Sequence, residues 1–251
     1  MAVAEQTEFE TSGRVALLAT SVLVVFLLAM TITIANVSLP QIQGSLSATR
    51  DQVAWVVTSY LVANAVGLPA TGWLTDRFGS RRLIVWGTIG FSLTTLGCAL
   101  APNLEFLVLM RASQGLFGAP LTPLTMALVL AAYPRRQHGV VTSVFGIGVT
   151  IGPIIAPWLG GILAEDYGWR SVFYFALPFA CLGCLAVLMV IPHDRPQKQR
   201  RLDLRGFVFF SIAIACFQLM VDRGERNDWF DSAEIVLECL AGVTCLYLFV
   251  A

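Results

Sequence analysis

The chain has 251 residues, of which 57% are hydrophobic and only 13% charged, with a mean hydropathy of +0.75. A soluble domain is nearer a quarter charged, so this composition excludes a disordered chain and argues against a water-soluble globule. Sixteen Lys and Arg balance sixteen Asp and Glu, so no basic excess points to nucleic acid as a partner. What remains is an all-α membrane protein with several spans.

A bilayer core takes about 20 apolar residues per helix. Eight such runs follow in chain order, at roughly 15–39, 52–74, 82–101, 104–131, 138–163, 170–192, 204–221 and 235–251. The first is too long for a signal-peptide core and no small-x-small cleavage site follows it, so it reads as a retained helix. Ten basic residues gather on one side: Arg77, Arg81 and Arg82, then Arg135 and Arg136, then Arg195, Lys198, Arg200, Arg201 and Arg205. Four face the other side: Arg50, Arg170, Arg223 and Arg226. The positive-inside rule places the N-terminus and the basic loops in the cytoplasm and the acidic loop 222–234 outside. The expected organisation is a cytoplasmic tail 1–14, a six-helix bundle 15–192, a basic linker 193–203 and two further spans over 204–251. The run ending at Phe249-Val250-Ala251 has no polar flank, which reads as the front part of a longer protein.

Spans 2 and 5 close on the same pattern. Gly72-Trp73-Leu74-Thr75-Asp76-Arg77-Phe78-Gly79-Ser80-Arg81 and Gly161-Ile162-Leu163-Ala164-Glu165-Asp166-Tyr167-Gly168-Trp169-Arg170 match at a period of 89 residues. That period holds three helices, and three is odd, so the two copies lie on opposite membrane faces. This is a 3+3 inverted-topology repeat, a building plan of secondary transporters.

Arg111 is the one basic residue well inside a span. A central arginine costs about 2.5–3.5 kcal/mol on insertion scales, so it is expected to face a protein interior or a wet cavity rather than to snorkel. Gln114 lies one helical turn away on the same face. In span 5, Gly148, Gly152, Ala156 and Gly160 fall four apart on one stripe that lets another helix approach, and Pro153 and Pro157 bend the helix. Asp76 heads the basic turn with Arg77 and Arg81, bracketed by Gly72 and Gly79. A carboxylate there can pair with arginines or cap a helix, and can act as a latch on the cytoplasmic face. Span 1 offers Thr31, Thr33 and Asn36, which are polar but not ionisable. Apart from Glu105 at the very start of span 4, Glu238 is the only acid inside a span, and it reads as interfacial. The six cysteines all lie in apolar runs, and Cys181-x-x-Cys184 lacks the polar context of a metal or redox site. There is no H-E-x-x-H, Walker lysine loop or G-x-S-x-G, so neither an enzyme of these classes nor a metal or cofactor is expected.

These motifs together resemble the major facilitator superfamily, specifically its fourteen-helix multidrug:proton antiporters of the EmrB/QacA type. Gly72 to Arg82 is similar to the superfamily's cytoplasmic loop signature, and Arg111 to Ala119 to its helix 4 arginine motif. Gly152-Pro153 through Gly160-Gly161 is similar to the antiporter motif of helix 5, and Thr33 to Pro40 to the helix 1 signature of this branch. The stretches around Asp203, Gly206 and Asp222 to Phe230 are similar to the surroundings of the two extra helices. Three positions depart from the pattern. Thr31 stands where the branch has an acid, Ala156 where it has a glycine, and Ala176 where it has an asparagine.

The resemblance implies the N-terminal six-helix bundle of a transporter plus two further transmembrane helices. It implies proton-driven export of amphipathic drugs across the inner membrane, with Arg111, Gln114, Thr31, Thr33 and Asn36 on the substrate and proton pathway. The implied partners are a small-molecule substrate, protons, the lipid bilayer, and a second transporter half or a periplasmic adaptor. Two other readings stay open: a facilitator-type metabolite carrier, and a non-transporting membrane fragment or assembly partner.

Overall fold

A computed structural model describes residues 11–191 and 203–250. Most of the tail expected over 1–14, the linker expected over 193–203 apart from Asp203, and the last residue lie outside them. The described residues form nine α-helices and no strand: α1 (Thr11–Ser45), α2 (Arg50–Phe78), α3 (Ser80–Ala99), α4 (Leu104–Gly118), α5 (Leu121–Ala132), α6 (His138–Tyr167), α7 (Arg170–Val190), α8 (Leu204–Arg223) and α9 (Ala233–Val250). With α4 and α5 counted as one span, eight are long and apolar enough to cross a bilayer.

Side-chain caps set three of the helix starts. Thr49 opens α2 with a capping box, its hydroxyl accepting from the Gln52 N–H at 3.2 Å while its own N–H donates to Gln52 Oε1 at 2.9 Å. Asn103 accepts from the Phe106 N–H at 2.9 Å to start α4, and Asp203 accepts from the Gly206 N–H at 3.0 Å to start α8.

Two boundaries differ from the sequence expectation, and proline is the reason at both. The first helix runs on through Pro40 to Ser45. Pro40 withholds a donor from the Asn36 carbonyl, but both residues are exposed, so the defect faces away from the bundle. The fourth span is two helices, because Pro120 has no N–H to return to the preceding turn. Ala119 and Pro120 keep helical dihedrals (−50°, −49° and −75°, −17°), so the joint is a kink and not a break. The sixth helix stays continuous through Pro153 and Pro157.

The expected inverted repeat is present in the packing. The major helix contacts pair α1 with α6, α2 with α4, α3 with α7, α1 with α7, and α3 with α4. Equating spans 1, 2 and 3 with spans 4, 5 and 6 exchanges the first two pairs, exchanges the last two, and maps α3 with α7 onto itself. The backbone agrees. Gly79 and Gly168 hold left-handed conformations of φ 85°, ψ 151° and φ 80°, ψ 159°, which only glycine adopts without strain. Their N–H groups bond Thr75 O at 2.8 Å and Ala164 O at 3.0 Å.

The repeat arginines then reach across to each other's helices. Arg81, at the start of α3, donates from Nη2 to the Leu188 carbonyl near the end of α7, at 3.2 Å. Arg170, at the start of α7, donates from Nη2 to the Ala101 carbonyl just past the end of α3, at 2.7 Å. Each cation sits at the negative end of the partner helix.

Glycine sets the closest crossings. A Cβ on Gly115 would lie 2.3 Å from the Tyr60 carbonyl oxygen of α2. One on Gly152 would lie 2.8 Å from the Met30 nitrogen and 2.9 Å from the Phe26 oxygen of α1. Gly161, in contrast, has nothing within 4 Å of that position. Gly115→Ala is therefore expected to cost about 1–3 kcal/mol through overpacking, whereas Gly161→Ala changes stability by less than about 1 kcal/mol. Thermal unfolding of the two variants in detergent checks the difference; equal midpoints would refute the crossing.

Candidate functional site: a buried arginine cluster

Arg111 lies in the middle of α4 and is wholly buried, so it faces the bundle interior as expected and does not snorkel. Its Nε donates to the Val56 carbonyl of α2 at 3.0 Å. Its Nη1 donates to Gln114 Oε1 at 2.5 Å. The guanidinium carbon stands 4.5 Å from the centre of the Tyr60 ring, within cation–π range. Nη2 is buried with no acceptor among the described residues, and no carboxylate pairs with the charge there.

The cluster continues into α3. Gln114, also fully buried, donates from Nε2 to the Thr95 hydroxyl at 2.6 Å, and Thr95 donates to the Phe91 carbonyl at 2.7 Å. A polar chain thus links α2, α4 and α3 through an apolar core. Sequence reading found Arg111 and Gln114 but missed Tyr60 and Thr95. Thr94-Thr95 in the middle of an apolar span was the available signal.

The span 1 candidates are not part of this chain. Thr31 is buried and donates to its own helix at Leu27 O, 2.7 Å, and Thr33 does the same to Ala29 O at 3.2 Å. Asn36 is exposed. The α6 stripe does bring α1 close, with Gly148 against Val22, Gly152 against Phe26 and Met30, and Gly160 against Ile34. Ala156 is buried on the same stripe, whereas Pro157 is exposed.

At the basic turn, Asp76 is half-buried and forms no ion pair among the described residues. Nor does it cap α3, whose N-cap is Gly79 without a side-chain bond. Arg77 lies 5.2 Å from the Trp73 ring centre. Gly72 faces open space. Cys184 touches Ser92 Oγ at 3.4 Å, and the cysteines described are free thiols with no metal-holding group among the described residues.

A second polar cluster joins the α8–α9 hairpin to α2. The Thr58 hydroxyl donates to Asp222, which also pairs with Arg226 at 3.4 Å. Arg223 lies 5.5 Å from the Trp55 ring centre and binds Glu234 at 2.5 Å and Glu238 at 3.7 Å. Glu238 is therefore held by an arginine rather than by solvent alone.

Two inverted three-helix units on membrane-length helices, closed around a buried arginine, define a secondary-transporter fold. The chain belongs to the Major Facilitator Superfamily, whose profile matches residues 21–250. It is therefore a multi-pass membrane protein. It is 35% identical over 228 residues to the "Multidrug export protein EmrB" of Escherichia coli (strain K12), covering 89% of this chain and 44% of that protein. It is 34% identical over 229 residues to the "Fatty acid resistance protein FarB" of Neisseria gonorrhoeae, covering 91% and 45%. It is 37% identical over 228 residues to the "Multidrug resistance protein Stp" of Mycobacterium tuberculosis (strain CDC 1551 / Oshkosh), covering 88% and 41%. The chain thus spans less than half the length of these relatives. Among solved structures, the POT family transporter PepTSo shares the fold at a TM-score of 0.69 and 13% identity, over 96% of this chain and 52% of that one.

Thr95→Val keeps the shape of the site but strands the Gln114 donor, and is expected to cost about 1–3 kcal/mol. Thr88→Val, which removes only a bond back to Ile84 within α3, is expected to cost less. Thermal unfolding followed with a thiol-reactive dye, using the native cysteines, compares the two.

Proposed function

We propose that this chain forms the N-terminal bundle and the two extra helices of a proton-coupled exporter of amphipathic compounds. The observation that carries the reading is Arg111, a permanent charge held inside an apolar bundle with one nitrogen left for a water or an anionic group. The names of the relatives, two of which refer to multidrug export or resistance, support the substrate class. Arg111 retains its charge at any physiological pH. Its field favours a negative partner at Nη2 and disfavours a proton beside it, which is how such a group couples charge movement to the state of a cavity. Gln114 and Thr95 position it. Thr31 cannot carry a proton, so span 1 supplies polarity along the pathway through Thr31, Thr33 and Asn36 but no coupling acid.

Alternating access requires one bundle to rock against another. The α1–α6 crossing at Gly152, Ala156 and Gly160, with Pro153, Pro157 and Gly161 on the same helix, is the flexing joint in this reading. Asp76, with Gly72, Arg77, Gly79 and Arg81 around it, forms the latch of the cytoplasmic face. Asp76 has no ion partner within the described residues, and in this reading its counterpart is a basic group of a second bundle. Residues 1–251 as a monomer then transport nothing. The N-terminus and the basic turns lie in the cytoplasm, and a periplasmic adaptor is a partner for the outer face.

In cells producing the whole protein encoded with this chain, Arg111→Ala is expected to abolish energised drug efflux at unchanged membrane abundance; normal efflux would remove Arg111 from the mechanism. Orientation has its own check. An alkaline phosphatase fusion after Asp228 should be active and one after Gly79 inactive, and the opposite pattern would invert the topology.

A further inference from the structure

An apolar groove of about 500 Å³ opens between α2, α3, α4 and the start of α8. Its wall includes Ala70, Leu74, Leu83, Trp86, Leu116 and Phe207. Ser113 supplies its one hydroxyl, and that hydroxyl already donates to the Leu109 carbonyl at 2.9 Å. Apart from that hydroxyl and the Trp86 indole N–H the groove is lined by apolar groups, and its volume lies in the range of about 300–1,000 Å³ that holds a drug-sized molecule.

The rim differs from the wall. Leu74, Leu83 and Phe207 mark the end of the groove nearest the basic turn. Within three residues of them stand Arg77, Arg82 and Arg205, all exposed. Two acids share this end. Asp203 is engaged in capping the Gly206 N–H, and Asp76 is half-buried. The rim is thus net positive over an apolar slot. The hydrogen bond and ring contact that tie α8 to α2, at Thr58 with Asp222 and at Trp55 with Arg223, lie at the opposite end. No polar contact between α8 and the bundle closes the groove among the described residues.

We propose that this groove is a binding site for an anionic phospholipid, one acyl chain lying along α2 and α8 and the phosphate meeting Arg82 and Arg205. A basic pocket between transmembrane helices favours an anionic headgroup, at about 1 kcal/mol per arginine near the surface. The leaflet assignment, cytoplasmic, rests on the orientation proposed above. The binding itself does not.

The test is photocrosslinking of the purified whole protein encoded with this chain, in proteoliposomes with lipid in both leaflets, so that orientation does not affect it. The probes are diazirine-bearing phosphatidylglycerol, phosphatidylcholine with the same chains, and palmitic acid with the same diazirine. Labelled peptides are mapped by mass spectrometry. Phosphatidylglycerol is expected to label the peptides holding Ala70 and Trp86 most strongly. Arg82→Gln and Arg205→Gln should each lower that labelling about fivefold, towards the phosphatidylcholine level. Ser113→Phe should abolish groove labelling by every probe, and Ile154→Phe on the exposed face of α6 should leave it unchanged. Equal labelling by phosphatidylglycerol and phosphatidylcholine would reduce the groove to ordinary bilayer contact and overturn the proposal. Preference for palmitic acid would also overturn it, by assigning the site to a free fatty acid. If Ser113→Phe does not fold, the two arginine variants decide the matter alone. Failure of the efflux test on Arg111 leaves this result standing.

Discussion

Two backbone-on-backbone crossings fix the geometry of this bundle. In lipid there is no hydrophobic force between helices, so association depends on how closely their surfaces approach. Gly115 lets α4 come against the Tyr60 backbone of α2, and Gly152 lets α6 come against the Phe26 and Met30 backbone of α1. The inverted repeat makes these equivalent crossings, although the glycine falls on span 4 in one and on span 5 in the other. Shape at the crossing is what the repeat preserves, and the residue that supplies it can sit on either helix.

The buried arginine depends on the same approach. Arg111 bonds the Val56 carbonyl and stacks on Tyr60 because Gly115, one turn on, draws α2 close. A larger residue there would push α2 away and leave a guanidinium in hydrocarbon without its acceptor. Packing and electrostatics at this site are therefore one constraint: the small residue makes the charge tolerable, and the charge ties three helices together through Gln114 and Thr95.

The architecture was legible in the sequence because its signals are local or periodic. Eight apolar runs, the 89-residue repeat and the charge of Arg111 need no knowledge of distant contacts. The parts that were not legible depend on partners far along the chain. Arg81 reads as one more charge in a basic turn, yet its acceptor is a backbone carbonyl at Leu188, 107 residues away, and a backbone acceptor leaves no mark on composition. Thr95 and Tyr60 look like ordinary residues of apolar helices until Arg111 is placed beside them. The kink at Pro120 was hidden because the residues around it remain apolar, and hydropathy does not register a missing donor.

The arginine that caps α3 also bears on how the chain inserts. Arg170 is one of four basic residues on the side opposite the basic turns, and simple counting sets all four against the orientation proposed above. Arg170 is engaged with the Ala101 carbonyl, Arg223 with Glu234, and Arg226 with Asp222. Among the described residues only Arg50 on that side lacks such a partner. Once folded, three of these four guanidinium groups are therefore held by acceptors within the protein, and fewer of their N–H groups remain for lipid headgroups. In the orientation proposed above, the outer face thus carries four arginines but leaves only Arg50 without a partner among the described residues.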